Sequence, residues 1–348
     1  MKKILTAILS ATLLLGMTAC GGKATPETSA PQESGEEETG TAGAAKEGIT
    51  LGFAQVGSES EFRTANTTDI KESAEAFGID LQYSDAQQKQ ENQIKAIRTF
   101  IASEVDVISF CPIVQTGWDT VLQEAKDAGI PVILVDRGVD ADESLYVSRV
   151  GVDAVAEGAD AFGWIDNYIE EIGKTPRDGG DTFNIAILEG TVGSSIAADR
   201  LNGFKDAIGE SPNADKFEVI LSQTGEYTRA KGNEVMESFL KSDGDRIDIL
   251  FAANDDMALG AIQAIKAAGL TPAEDIIIVS IDAAKGAFNA MINGEMNAAV
   301  EHNPLMGDKL MEIVEDVVAG KEVERMYYVK TAIYDQANAE AELPNRKY

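Results

Sequence analysis

From Ile49 onward, short runs of apolar residues alternate with longer segments in which apolar residues recur every three or four positions. The runs are typical of strands buried on both faces, as in parallel sheets covered by helices. The predicted strands are ITLGFAQ, IDLQYS, VDVISFC, IPVILVD, YVSRVGV, FNIAILE, FEVILSQ, IDILFAA, IIIVSID, MNAAVEH and YYVKTAI. The predicted helices include residues 92–103, 118–128, 229–241 and 257–268. The pattern therefore predicts a doubly wound α/β protein.

A weak internal repeat divides these elements into two halves. AKDAGIPVILVDR in the first half corresponds to IKAAGLTPAEDIIIVSIDA in the second, and in both a helix ends at a glycine, Gly129 or Gly269. The strand that follows ends in an aspartate, so Asp136 and Asp282 occupy equivalent positions. Ligands of open α/β sheets bind at the carboxyl ends of strands, so two such domains facing each other would enclose a ligand cleft.

Polar and aromatic residues near the predicted strand ends share a chemical character. They are Asp136, Arg137, Asn254, Asp282 and His302, with Phe62 and Tyr227 nearby. Carboxylate, guanidinium and amide groups hydrogen-bond hydroxyls, and an aromatic face covers the C–H side of a sugar ring, so the set suits a neutral polyol. The alternative is that a strand-end Asp or Asn only caps the next helix, and this role is predicted for Asp255 and Asp256.

The N-terminal segment has the pattern of a secretory leader. A basic start precedes an apolar stretch, residues 4–16, that is too short to span a bilayer, and small residues follow before Cys20. We expect a lipoprotein signal peptide over 1–19, lipidation of Cys20 and a disordered linker over 20–47, because this segment lacks large apolar side chains. The alternative is an ordinary signal peptide cleaved near a cysteine.

Charge and composition limit the partners. The formal net charge is -30 at pH 7, which argues against nucleic acid as a partner and against membrane contact other than through the lipid. Only Cys111 remains after Cys20, so no intramolecular disulfide is possible in the mature chain. The sole histidine is His302, which excludes a metal cluster of His and Cys. We also expect a monomer without cofactors.

Three enzyme classes fit the sequence poorly. A nicotinamide-dependent dehydrogenase would need G-x-G-x-x-G after the first strand, and the chain has none there. The GKT at 173–175 resembles the end of the P-loop motif G-x-x-x-x-G-K-[ST], but Tyr168 occupies the place of the first glycine of that motif. A glycosidase needs a general acid, whereas Arg137 and Arg200 would keep nearby carboxylates ionised. The chain is therefore not expected to be an enzyme.

Six segments resemble the type I solute-binding proteins of ABC sugar importers. They are GFAQVGSESEFRTA, DAQQKQENQIKAIRTFI, GIPVILVDR, GTVGSSIAADRLNGF, ANDDMALGAIQAIKAAG and GEMNAAVEHNP. The similarity runs from about residue 49 to 335, and the loop at 57–63 with the run QQKQENQIKAIR is most like galactofuranose binders. It implies the periplasmic binding protein type I fold, with two doubly wound parallel-sheet domains joined by a three-segment hinge.

The resemblance also implies the lobes and the ligand contacts. The N-terminal lobe would comprise 48–152 plus 303–331 and the C-terminal lobe 153–302 plus 332–348, with hinges near Asp153, Asn303 and Thr331. The implied ligand-binding residues are Ser60, Phe62, Arg63, Asp136, Arg137, Arg200, Tyr227, Asn254, Asp282 and His302. Ribose binders carry two adjacent aromatics where this chain has Phe62 and Arg63, which argues for a ligand with an additional polar contact to Arg63.

The function implied by the resemblance is capture of a monosaccharide, galactofuranose or a related sugar, and its delivery to an ABC permease. The protein would be exported and anchored to the cell membrane, facing the periplasm or the cell exterior. A receptor that presents the sugar to a membrane kinase or chemoreceptor would have the same ligand site, so this alternative stays open. A sugar-responsive repressor would begin with a basic helix-turn-helix instead of a leader.

Overall fold

The computed structural model of the protein describes residues 48–348, so the signal peptide, Cys20 and linker predicted above lie outside the described residues. The described strands form two six-stranded sheets. The first sheet contains β1 (Thr50–Gln55), β2 (Asp80–Asp85), β3 (Val107–Phe110), β4 (Val132–Val135), β5 (Ser148–Gly151) and β11 (Met326–Tyr328). The second contains β6 (Phe183–Glu189), β7 (Phe217–Thr224), β8 (Ile247–Ala252), β9 (Ile277–Asp282), β10 (Ala298–Glu301) and β12 (Ile333–Asp335).

Helices alternate with these strands along the chain. Around the first sheet lie α1 (Glu61–Phe77), α2 (Gln90–Ala102), α3 (Asp119–Asp127) and α9 (Gly307–Val318). Around the second lie α4 (Ala154–Ile172), α5 (Ser195–Glu210), α6 (Arg229–Asp243), α7 (Asp255–Ala267), α8 (Lys285–Ile292) and α10 (Ala339–Glu342). We call each sheet with its helices a lobe. No helix within residues 48–348 is long and apolar enough to cross a membrane.

The two sheets have the same strand order and differ in the direction of one edge strand. Their strand orders are β11-β5-β4-β3-β1-β2 and β12-β10-β9-β8-β6-β7, and every neighbouring pair is parallel except β10 with β12. Strand β4 of the first sheet therefore corresponds to β9 of the second, as the repeat predicted. The doubly wound type I fold is confirmed.

Each sheet carries a hydrophobic core on both of its faces. Along β6, Ala186 and Leu188 pack with α6 to α8 on one face, whereas Ile185 and Ile187 pack with α4 and α5 on the other. This arrangement explains why the central strands are apolar at successive positions rather than at alternate ones. The edge strands β2 and β7 are only partly buried.

The chain passes between the lobes three times: between β5 and α4, between β10 and α9, and between β11 and β12. The third passage corrects one prediction. YYVKTAI was expected to be one strand, but it supplies the end of β11 in the first sheet and the start of β12 in the second. The residues between them, Val329 to Ala332, belong to neither strand because the chain changes sheets there.

Candidate ligand-binding cleft

A cavity of about 280 Å³ lies where the carboxyl ends of the strands of both lobes meet. All ten residues predicted from the sequence line it: Ser60, Phe62, Arg63, Asp136 and Arg137 from the first lobe, Arg200, Tyr227, Asn254 and Asp282 from the second, and His302 from the passage after β10. Two further lining residues, Glu59 and Ile196, were not predicted.

Asp136 and Asp282 sit at the corresponding ends of β4 and β9, one on each lobe. Both have positive backbone φ angles, 63° for Asp136 and 125° for Asp282. Such angles are uncommon in residues other than glycine and cost about 1–3 kcal/mol each, and they concentrate at ligand sites. The strain at both strand ends is therefore consistent with a functional requirement for these two carboxylates.

In the first lobe, Arg63 and Asp136 form a buried ion pair. Nη2 of Arg63 donates to Oδ2 of Asp136 over 2.6 Å, and its Nε lies 3.3 Å from Oε1 of Glu59. Burial acts to raise the pKa of Asp136, but Arg63, together with His302 and Arg137, holds this pKa well below its usual range. Asp136 is therefore an ionised acceptor in the cavity wall at neutral pH.

His302 links the two lobes through a carboxylate on each side. Its Nδ1 lies 2.7 Å from Oε1 of Glu157 on α4, and its Nε2 lies 3.0 Å from Oδ1 of Asp136. Burial would lower the pKa of His302, but the carboxylate of Glu157 and the hydrogen bonds to both acids raise it to about 9. At neutral pH the imidazolium therefore donates to both carboxylates.

In the second lobe, Arg200 is held between Glu157 and Asp282. Its Nε donates to Oε2 of Glu157 over 3.0 Å, and its Nη2 lies 3.6 Å from Oδ1 of Asp282. The glycine at position 158 allows this packing, because a Cβ there would lie 2.1 Å from the backbone oxygen of Arg200. α4 and α5 can therefore approach closely enough to pair these side chains.

The protonation of Asp282 differs from the sequence-based expectation. Arg200 was expected to keep the neighbouring carboxylate ionised, as Arg63 does for Asp136. Burial instead raises the pKa of Asp282 to about 7, and the opposing effect of Arg200 is too weak to cancel it. Arg200 therefore does not hold the pKa of Asp282 at or below its usual range, contrary to the prediction.

Two polar atoms in the cavity wall lack a hydrogen-bond partner within the described part of the chain: the hydroxyl of Tyr227 and Oε2 of Glu59. Both are buried, and an unsatisfied buried polar group costs about 1–3 kcal/mol. Phe62 adds an apolar edge, packed against the His302 ring at a centroid distance of 4.6 Å. The cavity thus offers unused hydrogen-bonding groups beside an aromatic surface.

Helix capping is performed by residues other than the two predicted. The side chain of Asn254 accepts from the backbone N–H of Met257 at the start of α7, and Ser60 caps α1 in the same way. Asp255 instead accepts from the Ser280 hydroxyl and the Ala284 amide, so its predicted capping role is wrong. The prediction is wrong for Asp256 also, because its carboxylate accepts from the backbone N–H of Glu61 on the first lobe. Because α7 begins at Asp255 and its N-cap is Asn254, both aspartates lie within the first turn of the helix.

Three residues in or beside the cavity were not predicted from the sequence: Glu59, Ile196 and Glu157. Glu59 precedes Ser60 in a loop that the resemblance had already marked, so its position was a usable signal. Ile196 lines the cavity but is an ordinary apolar helix residue in the sequence. Glu157 contacts His302 and Arg200 but does not line the cavity. Nothing in the sequence distinguishes it from the acidic residues that are common in the first turn of a helix.

The wall of the cavity is built for recognition of hydroxyl groups. It combines carboxyl groups, three guanidinium groups and an amide with two aromatic rings. Carboxylates and guanidinium groups form charge-assisted hydrogen bonds, which are stronger than neutral ones. The arrangement can hold a small polar ring without forming a covalent bond to it.

Comparisons with known proteins agree with the fold. A profile described as "Periplasmic binding protein domain" matches residues 51–322. The chain is 46% identical over 303 residues to the galactofuranose-binding protein YtfQ of Escherichia coli (strain K12), covering 86% of this chain and 92% of that protein.

Two solved structures are also similar. One, from Mycobacterium smegmatis in complex with β-D-fucofuranose, has a TM-score of 0.81 at 48% identity and covers 86% of this chain and 95% of that one. The other is the periplasmic binding protein component of the arabinose ABC transporter from Shewanella sp. ANA-3, bound to α- and β-L-arabinofuranose. It has a TM-score of 0.80 at 43% identity and covers 86% of this chain and 96% of that one.

The resemblance stated from the sequence, including the similarity to a galactofuranose binder, is thereby confirmed. The family match covers most of the chain, and the two sheets with their three connecting passages give the same assignment independently. This chain belongs to the periplasmic binding proteins of type I fold.

Proposed function

We propose that the protein binds a neutral monosaccharide, galactofuranose or a related furanose, in the cavity between its lobes. The observation that carries this proposal is the pair of Arg–Asp contacts on opposite lobes, Arg63 with Asp136 and Arg200 with Asp282, facing one small cavity. Each carboxylate can accept from sugar hydroxyls while its arginine donates to others. The relatives described above bind furanose sugars by their names and titles, which supports the choice of sugar.

The ten lining residues that were predicted from the sequence are proposed as the ligand contacts, with Glu59 as an eleventh. The unpartnered Tyr227 hydroxyl and Glu59 Oε2 would gain hydrogen bonds from the sugar, because both are buried in the cavity wall. The Phe62 ring would cover an apolar face of the sugar. In this role the protein performs no covalent chemistry and needs no cofactor.

We propose lobe boundaries at 48–152 plus 303–331 and at 153–302 plus 332–348. The proposed hinges near Asp153, Asn303 and Thr331 coincide with the three passages between sheets. Sugar would enter when the lobes separate and would stabilise the closed form through contacts on both sides.

The cellular role that we propose is delivery of the sugar to an ABC permease by a monomer held to the membrane through lipidated Cys20. The name of the Shewanella relative supports the transporter assignment, and the leader pattern in the sequence supports the anchor. A sensory receptor would use the same cavity. Transport assays in a strain lacking this chain distinguish the two, since loss of uptake favours transport and loss of signalling with normal uptake favours the receptor.

A ligand screen tests the binding proposal. Thermal unfolding of residues 48–348 should shift upward with sugars that populate furanose rings, such as D-galactose and L-arabinose, because a ligand that binds only the native state stabilises it. D-Glucose and D-xylose, which are almost entirely pyranose in water, serve as matched controls. Equal shifts with all four sugars would contradict furanose selectivity, and no shift with any of them would contradict sugar binding.

A further inference from the structure

Outside the cavity, one residue of the first lobe contacts three helices of the second. Glu61 is the first residue of α1, and its backbone N–H donates to Oδ2 of Asp256 on α7 over 2.8 Å. Its Oε1 accepts from Nη2 of Arg229 on α6 over 3.0 Å, and its Oε2 accepts from the backbone N–H of Gly286 on α8 over 3.1 Å. The backbone N–H and both carboxylate oxygens of Glu61 are therefore hydrogen-bonded to the second lobe.

In the second lobe, Arg229 and Gly286 are placed to accommodate this glutamate. Nε of Arg229 donates to Oδ1 of Asp256 over 3.0 Å, which fixes the arginine beside the Glu61 carboxylate. A Cβ at position 286 would lie 2.8 Å from Oε2 of Glu61, so glycine permits the close approach. Neither Glu61 nor its three partners line the cavity, although Ser60 and Phe62 on either side of it do.

These contacts join the lobes without touching a ligand. They exist only when the lobes are close, so they stabilise the closed form whichever sugar occupies the cavity. On the opposite rim of the cavity, the lobes are joined by two other hydrogen bonds. The backbone N–H of Gly138 donates to the Ser195 hydroxyl over 2.8 Å, and the backbone N–H of Gln115 donates to the Gly193 carbonyl over 2.8 Å. Of these two sets of contacts between the lobes, the one at Glu61 is the set that includes an ion pair.

We propose that Glu61 is a positioning residue that sets the closing equilibrium of the cleft, and so the affinity for every sugar, without contributing to selectivity. This inference rests on the proposed sugar-binding function. The side chains of Glu61 and Arg229 are 42% and 49% exposed, so salt screens their attraction. The contribution is consequently modest and sensitive to ionic strength.

The test is a comparison of Glu61→Ala with Glu75→Ala, which removes an exposed carboxylate from the same helix. Calorimetry with D-galactose and with L-arabinose should show Kd raised about three- to tenfold for both sugars in Glu61→Ala, with an unchanged ratio between them and no change in the control. Raising NaCl from 50 to 500 mM should weaken binding by wild type more than by Glu61→Ala. Arg229→Met should reproduce these effects, and the double variant should be no weaker than either single variant.

Unchanged affinity in Glu61→Ala would overturn the proposal, and so would an altered ratio of the two sugars, because that would place Glu61 in contact with the ligand. If wild type binds neither sugar, the proposed function fails instead. The role of Glu61 in closure can then still be tested by measuring the distance between fluorophores placed on the two lobes of the ligand-free protein. The separated population should increase in Glu61→Ala, and an unchanged distribution would overturn the role.

Discussion

Nε2 of His302 lies 3.0 Å from Oδ1 of Asp136, so a residue in the passage between the lobes is bonded directly to a carboxylate of the cavity wall. Through Nδ1 the same ring contacts Glu157, which in turn holds Arg200. The chain of contacts runs from the first lobe through the hinge region to the second. Closure of the cleft and the charge state of His302 are therefore expected to be coupled.

The coupling predicts a pH dependence of stability that His302→Gln removes. The pKa of His302 is about 9 in the folded protein against 6.5 ordinarily, so its stabilising contribution is complete below pH 6.5 and is lost as pH rises through 9. Over that interval the unfolding free energy of wild type should fall by at most about 1.4 kcal/mol per pH unit relative to the variant. Urea unfolding at intervals from pH 6 to 10 measures this difference, and parallel pH profiles would show that the imidazolium contributes nothing.

Asp282 is predicted to lower the stability of wild type with rising pH as well, but over a lower pH interval. Burial raises its folded pKa to about 7, so the native state favours the protonated acid, and ionisation between about pH 4 and 7 costs stability. Asp282→Asn cannot ionise, so its unfolding free energy relative to wild type should increase across this interval, by at most about 1.4 kcal/mol per pH unit. The exposed Asp119→Asn is the control and should show no such trend. A constant difference between Asp282→Asn and wild type would contradict burial as the dominant influence.

Arg63 is predicted to distinguish this cavity from those of ribose binders. Arg63→Phe removes a charge-assisted donor and leaves Asp136 without its closest cation, which lies at 2.6 Å. Binding of D-galactose should weaken by about 1.5–3 kcal/mol, and the preference should shift toward pentoses. Calorimetry measures both effects, and Arg98→Phe, at an exposed arginine, is the control. Unaltered D-galactose affinity would remove Arg63 from the set of ligand contacts.

Cys20, which lies outside the described residues, is predicted to carry a lipid. Cells fed a clickable fatty-acid analogue should label the wild-type protein and Cys111→Ala, whose cysteine is buried in the fold, but not Cys20→Ala. The purified domain should bind sugar equally in all three. Export of wild type without label would favour an ordinary signal peptide.

Much of the fold and of the cavity could be predicted from the sequence because both repeat. The helix–glycine–strand–Asp pattern occurs twice, and this repetition alone predicts that Asp136 and Asp282 lie at matching strand ends. Local patterns could not show the change of sheet within YYVKTAI, since both of its halves are equally apolar. They also could not assign Glu157, whose role depends on residues 43 and 145 positions away.

The errors about charge have a related cause. The pKa of a carboxylate near an arginine depends on its distance and on burial, and sequence gives neither quantity. Asp136 lies 2.6 Å from Arg63 and stays ionised, whereas Asp282 lies 3.6 Å from Arg200 and burial prevails. The two aspartates at equivalent positions of the repeat therefore differ in pKa.

A sugar held by carboxylates on both lobes is expected to close the cleft. Small-angle X-ray scattering of residues 48–348 with and without D-galactose measures this directly. The radius of gyration of wild type should decrease on saturation, whereas Asp136→Ala at the same sugar concentration should not respond. Losing a buried acceptor costs about 2–5 kcal/mol, or roughly one and a half to three and a half decades in affinity. An unchanged radius in wild type that calorimetry shows to be saturated, or full compaction with near-native affinity in Asp136→Ala, would contradict the account.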